Sequence, residues 1–147
     1  MKKYVRILLV AMMSLMVLAL AGCGEEDKYN QAKTEVTTMM EEARNVNDKK
    51  DSPYYSDSKE ETLSLIKEHG KERVELLKGE LTKREAIYKQ IDEKLKDMAG
   101  YAKGNGKLEA DLTELRHKVD SDKAGVLQMS KEVIAAEKMR IQIYGAK

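Results

Sequence analysis

The chain has 147 residues, of which 27 are Lys or Arg and 26 are Asp or Glu, so the formal net charge is only +1. That balance leaves no overall basic excess of the kind a phosphate backbone attracts, and nucleic acid is not an expected partner. With no Trp or Phe, one Pro and 36% charged residues, the composition favours long helices, and a single Cys excludes a disulfide within the chain.

Lys2, Lys3 and Arg6 open the chain, followed by the fourteen residues Ile7 to Leu20 without a formal charge. This run is shorter than the roughly 20 apolar residues that span a bilayer and has the length of an export-signal core. It ends in Leu20-Ala21-Gly22-Cys23, whose small Ala21 and Gly22 suit the narrow subsites of a signal peptidase. Residues 1–23 thus resemble a bacterial lipoprotein export signal carrying a lipobox. The resemblance implies a diacylglycerol thioether on Cys23, cleavage between Gly22 and Cys23, and a further fatty acid, such as palmitate, on the new amino terminus. One acyl chain binds a membrane marginally, at about 0.8 kcal/mol per buried methylene, whereas two or three make a stable anchor. Residues 1–22 are then a cleaved signal peptide, and residues 23–147 form a lipid-anchored domain on a bacterial membrane. Gly24, where an aspartate would retain the protein at the inner membrane, leans towards the outer membrane facing the periplasm in a Gram-negative cell. In other bacteria the location is the outer face of the cell membrane.

Cleavage removes three basic residues and no acidic ones, leaving 24 against 26 over 125 residues, enough for one small domain. Its first segment, about residues 26–47, carries Tyr29, Ala32, Val36, Met39, Met40, Ala43 and Val46 at helical steps of three and four. Pro53, amid Asp, Lys and Ser, interrupts the pattern and marks a linker over residues 48–57. Ser58 and Glu61 have capping-box spacing and start a second helix, about residues 59–102. From Val74 it repeats as Val74, Leu77, Leu81, Arg84, Tyr88, Ile91, Leu95, Met98 and Ala102, a heptad seam. Leu63, Ile66 and Gly70 fall outside that register, which predicts a kink near His69-Gly70.

Gly104-Asn105-Gly106 suits a tight helix-helix turn, because glycine tolerates positive φ. A third helix, about residues 107–144, follows with Leu108, Leu112, Leu115, Val119, Asp122, Val126, Met129, Val133, Ala136, Arg140 and Ile143 in one heptad frame. Folding the chain at Asn105 brings Arg84 near Asp122, and that polar pair is expected inside the seam, fixing register at some cost in stability. The expected architecture is all-α, a three-helix up-down bundle built on a long antiparallel coiled-coil hairpin. A second stripe on the third helix, Leu127, Ile134 and Ile141, calls for cover by the first helix, placed beside the start of the second. At about 1.5 Å per residue the hairpin then overhangs the first helix by roughly 30 Å at the Gly104 tip. An anchor at Cys23 would drive that tip into lipid unless the domain tilts along the surface. The same heptads allow pairing between chains, so an oligomer is an open alternative.

Chemistry is sparse along the chain. Glu114, His117 and Asp120 share a helix face, yet a bundle metal site needs further inward carboxylates and a second histidine motif. His69 and His117 are far apart and form no zinc signature, so no metal or other cofactor is expected. No Ser or Thr lies in an elbow or triad setting, and Gly104-Asn105-Gly106 joins two helices rather than the strand and helix of a phosphate loop. Met39, Met40 and Met129 read as core filler. No enzyme is expected. The leading expectation is a noncatalytic helical interaction or adaptor module of the cell envelope, with another envelope protein as partner. The chain also resembles the murein lipoproteins in its anchor, its heptads and a terminal Lys147 following Tyr144-Gly145-Ala146. That resemblance implies the alternative of a membrane-to-peptidoglycan spacer tethered through Lys147. It departs from that family in length, in the hairpin, and in the Gly-Ala before the lysine.

Overall fold

A computed structural model describes residues 24–145. The signal segment, Gly22, Cys23 and Lys147 lie outside the described residues. Within them the chain is all-helical: α1 Glu25–Asn45, a 3-10 turn Asp48–Asp51, α2 Lys59–Ala102 and α3 Gly106–Tyr144. No helix among them is long and apolar enough to cross a membrane.

α2 and α3 begin where side chains take up free backbone amides, whereas α1 starts after Gly24 without a side-chain cap. Glu25, Glu26 and Asp27 set negative charge on the amino end of α1. Ser58 Oγ accepts from the Glu61 amide at 3.4 Å, one arm of the expected capping box. The other arm is replaced: the Glu61 carboxylate accepts from Ser56 Oγ at 2.6 Å, while Ser56 Oγ itself accepts from the Ser58 amide at 3.1 Å. At the tip, Gly104 takes φ +81°, and Asn105 Oδ1 accepts from the amides of Lys107 and Leu108 at 3.2 and 3.3 Å. The kink anticipated in α2 is present, with His69 at φ −130°, ψ 29° inside the helix.

The three helices pack around one cluster in the half of the molecule nearest the tip. Tyr29, Val36, Met39, Met40 and Ala43 of α1 meet Tyr88, Ile91, Leu95, Met98 and Ala102 of α2 and Leu108, Leu112, Leu115 and Val119 of α3. Partner residues give the directions. Lys123 binds Asp92 and Arg116 reaches the Leu95 carbonyl, so numbers fall along α2 as they rise along α3. Lys94 binds Glu35 and Arg84 binds the Ala43 carbonyl, so α1 runs against α2. Tyr29 meets Asp111 and Arg44 meets Asp122, so α1 runs with α3.

This arrangement corrects the expected placement of the first helix. α1 lies on the tip half, not beside the start of α2, and its first turn is level with Gly104. The cause is residues 46–58, which run back along α2 as a strap instead of turning at Pro53: the Lys49 amide donates to Glu80 at 3.2 Å, and further on Tyr55 Oη donates to the Arg73 carbonyl at 3.3 Å. The overhanging end is therefore the one with the start of α2 and the close of α3. α1 does not cover Ile134 and Ile141 there. Ile134 is buried without it, and Ile141 rests on Gly70, where an added Cβ would approach Ile141 side-chain atoms to 3.0–3.2 Å.

The seam of α3 also departs from a single heptad frame. Beyond Val126 the buried positions are Ser130, Ile134 and Glu137, whereas Met129, Val133 and Ile143 are 64%, 44% and 62% exposed. Two adjacent apolar stripes compete for α2, and the close approach that Gly70 allows gives the place to the one containing Ile134 and Ile141. Met129 is accordingly surface, not core filler.

Candidate functional site

The sequence-based polar pair is rearranged. Arg84 does not bind Asp122: its Nε donates to the Ala43 carbonyl at 3.1 Å and its other nitrogens lie on the Val46 carbonyl and near Glu80. It closes the carboxyl end of α1, where carbonyls lack helical partners and a cation is favourable. Asp122 instead takes Arg44 of α1 at 2.7 Å and the Tyr88 hydroxyl at 2.7 Å. Burial first, then the bond to Asp122, pushes the Tyr88 hydroxyl well above its ordinary pKa. Arg44 was missed because the hairpin register alone does not say which residue of α1 reaches the seam.

A second polar centre, wholly outside the expected site, lies in the strapped half. Arg73 and Glu137 are 1% and 3% exposed, and Arg73 Nε donates to Glu137 Oε1 at 2.5 Å. The strap completes the shell. The Tyr54 carbonyl accepts from Arg73 Nη1, the guanidinium stacks over the Tyr55 ring at 3.9 Å, and the Tyr54 ring lies 5.2 Å from that of His69 at the kink. Burial and the nearby Glu137 carboxylate push Tyr55 up to about 12. A signal for this centre exists in the sequence: Ile66, Gly70, Arg73, Leu77, Glu80 and Arg84 step by four and three into Tyr88. The seam is continuous through Gly70 when charged residues are allowed to occupy it. No buried side-chain nitrogen or oxygen among the described residues lacks a hydrogen-bond partner. The network joins α2, α3 and the strap at one point.

Glu114, His117 and Asp120 are all exposed on α3. Among the described residues no group of three or more His, Cys, Asp or Glu could hold a metal ion.

The remaining feature is a face without cover. α1 sits on α3 through Asp111 and Asp122, and the same face continues past the end of α1 as Met129, Val133, Ala136 and Ile143, exposed together with Arg140. A cleft of about 130 Å³ opens where α1 stops, between Arg44, Lys49, Glu80, Arg84, Met129 and Val133. Ligand pockets generally occupy about 300–1,000 Å³, so this cleft is small, and it opens along the uncovered face of α3. Among the described residues three helices thus meet over one half, and a hairpin with a strap forms the other. No protein-family model, no curated protein and no solved structure matches the chain.

Proposed function

We propose that this chain is a bacterial cell-envelope lipoprotein, anchored through lipid on Cys23, whose helical domain is a noncatalytic interaction or adaptor module. The observation that supports it is the exposed stripe Met129, Val133 and Ile143 on the continuation of the seat that α1 occupies. Contiguous apolar surface of this kind marks an interaction site more often than scattered surface residues do. The pairing of α2 with α3 is taken as an antiparallel coiled-coil hairpin and the three helices as an up-down bundle, supported by the Asp92–Lys123 and Arg73–Glu137 pairs. The bacterial membrane is the site of action: the outer membrane facing the periplasm where one exists, and otherwise the outer face of the cell membrane.

Two measurements test this. Growth with a clickable fatty acid labels the chain, and Cys23→Ala abolishes both the label and sedimentation with membranes; an unlabelled chain that still sediments overturns the anchor. A photo-crosslinking residue at Val133 gives a discrete adduct with an envelope protein in cells, and the same residue at exposed Glu114 gives none. Equal adducts, or none at Val133, overturn the interaction face.

A second reading is a spacer between membrane and peptidoglycan through Lys147. It is favoured by the placing of Glu25 and Tyr144 at opposite ends of the molecule, separated by about 58 Å of α3 at 1.5 Å per residue. Muramidase digestion followed by mass spectrometry checks it: a free carboxyl terminus on every copy excludes the tether.

A further inference from the structure

The packing of α1 sets which end of the domain carries the amino end of that helix. Adjacent Cα atoms are about 3.8 Å apart, so a lipid on Cys23 is one residue from Gly24, and α1 begins at Glu25 with no intervening segment. Tyr29 Oη donates to Asp111 at 2.7 Å and Lys33 Nζ to the same carboxylate at 2.5 Å. Tyr29 is four residues into α1 and Asp111 is five into α3, and the two helices run in the same sense. Their starts therefore coincide to within a helical turn, about 5.4 Å. The Gly104–Gly106 turn and the amino end of α1 share one end of the described domain.

We propose that the domain stands on the membrane by its hairpin tip, the partner of that end being the lipid headgroup surface. The start of α2 and the close of α3, with the apolar stripe, project about 60 Å away from it. This rests on acylation of Cys23. The tip needs no affinity of its own. Lys103 and Lys107 are exposed beside exposed Glu25, Glu26 and Asp27, a surface of both signs that neither inserts nor adheres strongly. The competing posture lays the domain flat with Met129 to Ile143 against the headgroups. α1 obstructs it, because it occupies the same face of α3 and holds that face about 8–10 Å off any plane laid along it. Glu41 and Glu42, exposed on α1, would moreover meet anionic lipid first.

The chain has no Trp, so a single introduced indole reports its own position. Lys107→Trp and Met139→Trp place one at the tip and one at the far end, both at exposed sites, with Lys103→Trp and Val133→Trp as a second pair should either fail to fold. The acylated full-length products are reconstituted in phosphatidylcholine–phosphatidylglycerol vesicles containing a headgroup-spin-labelled lipid. The expected result is at least twofold quenching at the tip and unchanged emission at the far end. Equal quenching at both, quenching at the far end alone, or none at either overturns the upright posture. Intact mass on the same samples separates the two claims: an unacylated Cys23 defeats the anchor and this proposal together, whereas an acylated chain with the wrong quenching pattern defeats the posture alone.

Discussion

The hydroxyl of Tyr88 donates to Asp122 at 2.7 Å, and the same carboxylate holds Arg44, so one acidic residue of α3 ties both other helices. Arg84, one turn before Tyr88, turns instead to the carbonyls at the end of α1.

Removing parts of this junction has graded consequences. Tyr88→Phe loses one hydrogen bond, about 1 kcal/mol, whereas Asp122→Ala strands a fully buried hydroxyl and costs about 1–3 kcal/mol. In double-mutant cycles the Tyr88–Asp122 coupling exceeds the Arg84–Asp122 coupling, because only the former pair is bonded. Urea unfolding followed by circular dichroism checks both; a larger Arg84–Asp122 term contradicts the partners described.

The buried ion pair Arg73–Glu137 behaves differently when halved and when replaced. Arg73→Ala or Glu137→Ala leaves a charge in the interior without its partner and destabilises by about 3–5 kcal/mol. Arg73→Met combined with Glu137→Leu removes both charges and restores stability to near that of the original chain. Thermal melts of the three variants distinguish these outcomes.

Contact between Gly70 and Ile141 sets the register of the far half. Gly70→Val forces the Ile141 side chain aside and costs about 1–3 kcal/mol by overpacking, and Ile141→Ala in the same chain recovers part of the loss. A sum of two independent penalties, with no recovery, would mean that the two residues do not share this space.

Alkaline pH is expected to unfold the protein cooperatively. Tyr29, Tyr55 and Tyr88 all have raised pKa values, chiefly from burial, with Tyr55 at about 12 against an unfolded value near 10. Unfolding therefore releases protons above about pH 10, so this stabilisation is complete below that value and is lost as pH rises through the folded values. Tyrosinate absorbance and helical signal should change together. Full ionisation of the tyrosines with helicity intact would contradict it.

Several elements are legible from residue order alone. Ser58 and the Gly104 turn announce helix ends, the 3–4 spacing announces helices, and Gly70 announces the kink. What was not legible has a common physical origin, competition between near-equal choices. Leu127, Ile134 and Ile141 are as apolar as Met129, Val133 and Ile143, and tertiary contacts, Gly70 with Ile141 and Arg73 with Glu137, accompany burial of the first stripe. The spacing within a short α1 does not say which half of a long hairpin it joins, and the path of residues 46–58 along α2 accompanies its seat on the tip half. Arg73, Glu80 and Glu137 escape a hydrophobic pattern search because their burial depends on partners 64 residues apart in the Arg73–Glu137 case.

The guanidinium of Arg84 on the carbonyls of Ala43 and Val46 means that the end of α1 is capped from another helix. A peptide of α1 alone would carry no such stopper, and its final turn would fray or run on as solvent allowed. That capped end is also where the groove begins, since Arg44 and Arg84 both line its mouth.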